Sequence, residues 1–187
     1  MKGRLILISH AATPSIRQGA FPADEPLDSV GIAEAVASRE RLAISADAQA
    51  LSSPAACALD TANALGLAAQ ISPELADTDY GQWSGRVLAD IAAEAPAELT
   101  AWTRNPQALP RGGESFSQVL SRVSQWLDNL DGSANIVAVS HASVIRAAVL
   151  YALNAPATSF NRVEIAPLSA IELRHSMRGW VWWPARS

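Results

Sequence analysis

LILISHAATP (residues 5–14) begins with four unbroken apolar residues and stops at a hydroxyl, an imidazole and two alanines. A short apolar run closed abruptly by small residues fits a strand buried on both faces, as in a parallel sheet. Residues 136–139, IVAV, form a second such run, and it ends on the same tripeptide: SHA stands at 9–11 and again at 140–142. If both runs are parallel strands of one sheet, His10 and His141 leave the same edge. A lone histidine at a strand end is ordinarily structural. Two of them at strand-to-helix switches point to a reactive site, because ligands of such sheets gather beyond the carboxyl ends of the strands.

The segments outward from these runs alternate between strand and helix. A weaker strand is expected at 48–52, a helix over 27–42, and another after Ser53-Pro54 to about Leu65, with Pro54 in its first turn. A helix follows His141 to about Leu153. The clearest helical period is Phe116, Val119, Leu120, Val123, Leu127 and Leu130, with Ser115 and Gln118 as a capping box and Gly132 as its end. Residues 170–173 and 180–183 resemble a hairpin turning near Arg178-Gly179. The order predicts an α/β fold: a three-layer α/β/α sandwich with a mostly parallel central sheet. The whole chain, 1–187, reads as one domain, with an irregular covering segment at 72–113 that holds four prolines and two tryptophans.

Composition narrows the partners. The chain is 49% hydrophobic with a net charge of −4, which gives no reason to expect a nucleic acid polymer. Cys57 is the single cysteine, so no intrachain disulfide forms, in keeping with a cytoplasmic location. Lys2 and Arg4 precede too short an apolar run for a secretory signal, and the apolar stretch 136–153 is broken by Ser140, His141, Ser143 and Arg146, so no membrane span is expected. No close ligand spacing such as H-E-x-x-H occurs, and neither metal nor cofactor is expected.

Six short motifs in order resemble the histidine phosphatase superfamily, the phosphoglycerate mutase-like fold. They are LILISHAAT at 5–13, EPLDSVG at 25–31, SPAACALDTA at 53–62, LADTDYGQWSG at 75–85, GGES at 112–115 and VAVSHASVIR at 137–146. The resemblance implies a phosphomonoester hydrolase that works through a phosphohistidine. His10 is the implied nucleophile, Asp77 the acid and base, and His141 a donor to the phosphoryl oxygens. Ser9, Thr13, Ser53 and Ala142 fall where phosphate contacts are implied. Three departures stand out: Ser9 and Cys57 occupy positions where the family usually has arginine, and Asp77 replaces the usual glutamate. A guanidinium offers paired donors and a fixed charge, which neither serine nor a neutral thiol replaces. Arg17, seven residues after His10, is the leading substitute cation and is expected to point between the two histidines. Arg146 and Arg111 are weaker candidates, and Cys57, inside a helix, is not expected to be a nucleophile. The partner implied is a small phosphorylated substrate. The alternative is a catalytically degenerate relative that binds a phosphorylated ligand or a protein.

Overall fold

The computed structural model describes residues 3–42, 44–45 and 47–184; Lys2, part of the N-terminal flank read above, lies outside them. The chain forms β1 (Arg4–Ser9), α1 (Pro14–Arg17), α2 (Ser29–Ser38), β2 (Gln49–Ser52), α3 (Ala56–Ala64) and β3 (Gln70–Ile71). It continues with α4 (Leu88–Glu94), α5 (Pro96–Arg104), α6 (Phe116–Asn129), β4 (Asn135–Ser140), α7 (Ala142–Ala152), β5 (Ala170–Ser176) and β6 (Gly179–Trp183). Short 3-10 turns lie at Pro73–Leu75, Gly81–Trp83 and Ala157–Arg162. The strand order is β3-β2-β4-β1-β5-β6, parallel through the first four and antiparallel across β5 and β6.

Alternation along β1 explains the layers. Successive side chains of a strand point to opposite faces. Leu5 and Leu7 pack with Val119, Val123 and Leu127 of α6 and with Ile145 and Ala148 of α7. Ile6 and Ile8 pack on the other face with Ala58 and Ala62 of α3 and with Leu65. The sheet is therefore covered on both faces, which is why β1 and β4 read as continuous apolar runs. A further layer of contact joins Ala35 of α2 to Cys57 of α3.

The ends of the helices follow local chemistry, with two departures from expectation. Ser115 caps α6 as expected: its side chain accepts from the Gln118 amide while Gln118 Oε1 accepts from the Ser115 amide at 2.8 Å. Gly132, however, does not end the helix; Leu130 has already turned to an extended conformation. Gly132 is needed for another reason, since a Cβ there would stand 2.4 Å from the His175 ring. Pro54 does not enter α3, which begins at Ala56. The side chains take over at that end: Ser53 Oγ accepts from the Ala55 amide at 3.2 Å and Asp24 Oδ1 from the Ala56 amide at 2.9 Å. The helix expected over 27–42 is confined to α2, because Asp28 rather than an earlier residue caps it, accepting from the Gly31 amide.

The irregular segment is tied down over the carboxyl ends of the strands. The Phe21 amide donates to the Arg86 carbonyl at 2.8 Å, and Ala20 bridges Val87. Phe21 meets Trp83 and Trp102 at ring-centroid distances of 5.3 and 5.4 Å. The two tryptophans therefore pack against each other and against Phe21. Among the described residues, no helix is long and apolar enough to cross a membrane.

Candidate active site

The β1–β4 register pairs Ser9 with Ser140, so the two SHA tripeptides leave the sheet side by side. The His10 amide donates to the Ser140 carbonyl at 2.9 Å. The two imidazole rings lie 4.9 Å apart, edge to face. On the other side of β4, β2 delivers Ser53, whose amide donates to the Val139 carbonyl and whose Oγ lies 2.8 Å from His141 Nε2.

Backbone contacts set the state of each histidine. His10 Nδ1 lies 2.8 Å from the Ala11 carbonyl. A carbonyl only accepts, so Nδ1 carries the hydrogen and Nε2 keeps its lone pair. Burial, helped by the nearby His141, pushes the His10 pKa down to about 4. Burial also lowers that of His141, against the opposing pull of Asp77. Two neutral imidazoles are the consequence at physiological pH.

Asp77 is held by its neighbours. Its Oδ1 accepts from Ser143 Oγ at 2.7 Å and from the Thr78 amide at 2.8 Å, and its Oδ2 lies 3.4 Å from His141 Nδ1. The backbone leading to it is clamped by Arg122, which donates to the carbonyls of Glu74 at 2.6 Å and Ala76 at 3.0 Å and pairs with Glu114 at 3.0 Å. Ser140 Oγ donates to the Leu75 carbonyl at 2.8 Å. Neither Arg122 nor Ser143 was legible as part of the site in sequence. Ser143 carried one available signal: it sits two residues past His141, on the first turn of α7.

These side chains border a cavity of about 180 Å³ whose walls include His10, Thr13, Cys57, Asp77 and His141. Asp24 and Asp79 also line it, and among the described residues no lysine or arginine does. Thr13 reaches it from the cap of α1. Of the other residues singled out in sequence, Ser53 touches the site through His141, while Ser9, Arg17 and Ala142 are not among the cavity walls. Ser9 is buried with its amide and carbonyl bound to Ser169 and Leu168. Ala142 opens α7 beside His141.

Arg17 corrects an expectation. Its guanidinium does not point between the histidines; it pairs with Asp28 and donates to the Ala12 carbonyl at 2.7 Å. Asp28, already fixed as the cap of α2, supplies the carboxylate that holds it. Arg111 pairs with Glu98 at 3.2 Å and is exposed, and Arg146 Nε donates to the Val163 carbonyl at 2.8 Å. The Cys57 side chain is a cavity wall. Burial, reinforced by the charge of Asp77, pushes its thiol up to about 12.

Comparison with known proteins agrees with this architecture. A family model described as histidine phosphatase superfamily (branch 1) matches residues 5–183. A bifunctional protein of Mycobacterium tuberculosis is 32% identical over 182 residues, covering 90% of this chain and 50% of that protein. The chain thus spans about half the length of that relative. The glucosyl-3-phosphoglycerate phosphatase of Mycolicibacterium vanbaalenii is 33% identical over 171 residues, covering 82% of this chain and 75% of that protein. The crystal structure of the α-ribazole phosphatase from Shigella flexneri superimposes with a TM-score of 0.85 at 26% identity, covering 98% of this chain and 96% of that one. A match that runs from the first strand to the last, over a sheet that sets two strand-end histidines side by side, leaves one assignment: the chain belongs to the histidine phosphatase superfamily, branch 1.

Proposed function

We propose that this protein hydrolyses a small phosphomonoester through a phosphohistidine on His10. The observation that carries the reading is the Nδ1 contact of His10 with the Ala11 carbonyl at 2.8 Å, which leaves Nε2 unprotonated in a cavity shared with Asp77 and His141. His10 Nε2 attacks phosphorus and the bond to the ester oxygen breaks. Asp77 gives its proton to the departing alcohol. In the second half, Asp77 takes a proton from water, whose oxygen bonds to phosphorus as the P–N bond breaks. His141 Nδ1 donates to the phosphoryl oxygens in the tautomer where Ser53 Oγ donates to Nε2. Relatives named glucosyl-3-phosphoglycerate phosphatase and adenosylcobalamin/α-ribazole phosphatase support a small phosphorylated substrate. A cytoplasmic location suits a lone cysteine.

Ser9 and Cys57 stand, on this reading, where the superfamily usually carries phosphate-binding arginines. Thr13 and Ser53 hydroxyls and the first amides of α7, beginning at Ala142, are the remaining uncharged donors, and Arg17 would have to leave Asp28 to help. The scarcity of cations around the cavity favours a second reading, a catalytically degenerate protein that only binds its phosphorylated ligand. A panel of phosphomonoesters, assayed with and without chelator, separates the two. Turnover abolished by His10→Ala, with acid-labile phosphate trapped on the unaltered protein, supports the hydrolase. Phosphate-ester binding without turnover supports the second reading, and turnover that survives His10→Ala removes His10 as nucleophile.

A further inference from the structure

His10, Cys57 and His141 belong to three distant segments, yet a ring nitrogen of each histidine and the Cys57 sulfur lie within 4.8 Å of one another, all three residues buried. Phosphate chemistry gives the thiol no task. The outer contacts of the two rings are already made, by the Ala11 carbonyl on His10 Nδ1 and by Ser53 Oγ on His141 Nε2. That leaves His10 Nε2 and His141 Nδ1. His141 Nδ1 is buried without a hydrogen-bond partner in a residue only 3% exposed. An orphaned buried nitrogen of this kind calls for a ligand or a reason. Asp77 Oδ2 is 3.4 Å from it, too long for a good hydrogen bond. Bonds of about 2.0–2.1 Å in a tetrahedral zinc site set nitrogen and oxygen ligands about 3.3 Å apart, so this pair is already at ligand spacing. The matching nitrogen–sulfur edge is about 3.6 Å, so the thiol, within 4.8 Å of both nitrogens, has at most about 1.2 Å to close.

We propose that His10, Cys57, His141 and Asp77 form a binding site for one divalent cation of the zinc class. Two imidazoles and a thiolate select a borderline-soft ion over magnesium or calcium, which prefer oxygen ligands. The carbonyl on one ring and the hydroxyl on the other are the outer contacts that orient metal-bound histidines. The surroundings suit a cation, since Asp24 and Asp79 line the same cavity and no described lysine or arginine does. On binding, the Cys57 S–H bond breaks, its electron pair forms the metal–sulfur bond, and the proton passes to solvent. Thiolate and carboxylate then balance the two charges of the ion, and both imidazoles bind neutral. The inference does not rest on the hydrolase reading. The two meet at His10 Nε2, which cannot hold a cation and attack phosphorus at once, so the bound ion is a reversible off-state of the hydrolase.

The test is a titration of the chelator-stripped full chain with Co²⁺ alone. One equivalent should saturate the protein, with a near-ultraviolet thiolate-to-cobalt charge-transfer band and the visible bands of tetrahedral cobalt, and equimolar Zn²⁺ should displace it. Cys57→Ser should lose the charge-transfer band and bind Co²⁺ at least ten-fold more weakly, and His141→Ala should also weaken binding. His175→Ala, distant from the site, should leave the titration unchanged. Absence of a stoichiometric, Zn²⁺-displaceable charge-transfer band in the unaltered protein overturns the proposal, as does a band that persists in Cys57→Ser. Phosphatase turnover of the stripped protein is measured in parallel, so a failed hydrolase reading and a failed metal site register in different signals.

Discussion

Replacing Cys57 by arginine puts a permanent cation into a cavity lined by three aspartates and no described cation. The side chain points the right way, because its sulfur lies within 4.8 Å of the ligating nitrogens of both histidines. At a separation near 5 Å and an effective dielectric of about 20, each unit of charge on a phosphoryl group at His10 gains about 3 kcal/mol from the new guanidinium. Part of that is lost, because Asp77 and Asp24 compete for the same guanidinium. A net gain of about 1.4 to 2.7 kcal/mol remains, or a 10- to 100-fold tighter binding of inorganic phosphate. The longer side chain extends into the cavity of about 180 Å³ that Cys57 borders. Calorimetry with phosphate, and kcat/KM on the best ester of a panel, are the assays. Both should rise, while cobalt binding disappears. Ser9→Arg should add less, because Ser9 is buried at the end of β1 and is not a cavity wall. A folded Cys57→Arg protein that binds phosphate no more tightly than the original would refute the reasoning that cation scarcity limits this pocket.

Three further perturbations test the supports of the site. In chelator-treated protein, His10 has a folded pKa of about 4 against an ordinary 6.5, so the unfolded chain takes the proton first as pH falls. Stability from this group is therefore full above pH 6.5 and is lost between 6.5 and about 4; urea midpoints across that window should fall less steeply in His10→Gln. Arg122→Leu removes the clamp on the carbonyls of Glu74 and Ala76, and the loosened Asp77 should lower kcat by about ten-fold while KM changes little, read by steady-state kinetics. Gly132→Ala drives a methyl to 2.4 Å from the His175 ring, and the forced displacement should lower stability by about 1–3 kcal/mol in urea titrations without changing kcat.

The layers of the fold were legible because β1 and β4 are buried on both faces, which leaves an apolar run that no surface strand shows. The register was not. Nothing in the sequence says that Ser9 faces Ser140, yet that pairing is what turns two separate histidines into one site. Arg17 failed as an expectation for a related reason: distance along the chain from His10 placed it near the cavity, but the nearby Asp28 carboxylate claims it. The capping box of Ser115 and Gln118 was legible because both partners are local, whereas Gly132 was misread as a helix end because its partner, His175, is a neighbour only in the folded chain. Arg122 was missed because it acts through backbone carbonyls, which have no letter in a sequence.

Metal spacing rules such as H-E-x-x-H describe ligands carried on one helix, and the proposed site draws its ligands from the ends of two strands, the first turn of α3 and the loop that carries Asp77. A search by local spacing therefore cannot register a site assembled from distant segments. Charge gives the argument its direction. With an arginine at position 57, the cavity would hold a fixed cation, and a divalent metal beside it would be repelled. With cysteine there, the walls carry aspartates, neutral imidazoles and a thiol whose proton leaves for solvent once a Lewis acid takes the sulfur electron pair. On the proposed reading, the cysteine at position 57 both deprives the anion site of a charge and supplies a ligand to the cation site, while Ser9 takes no part in the latter. Cys57→Arg and Cys57→Ser separate the two consequences, since the first adds charge and removes the ligand, while the second removes the ligand alone. Phosphate affinity should respond to the first variant only, and cobalt affinity to both.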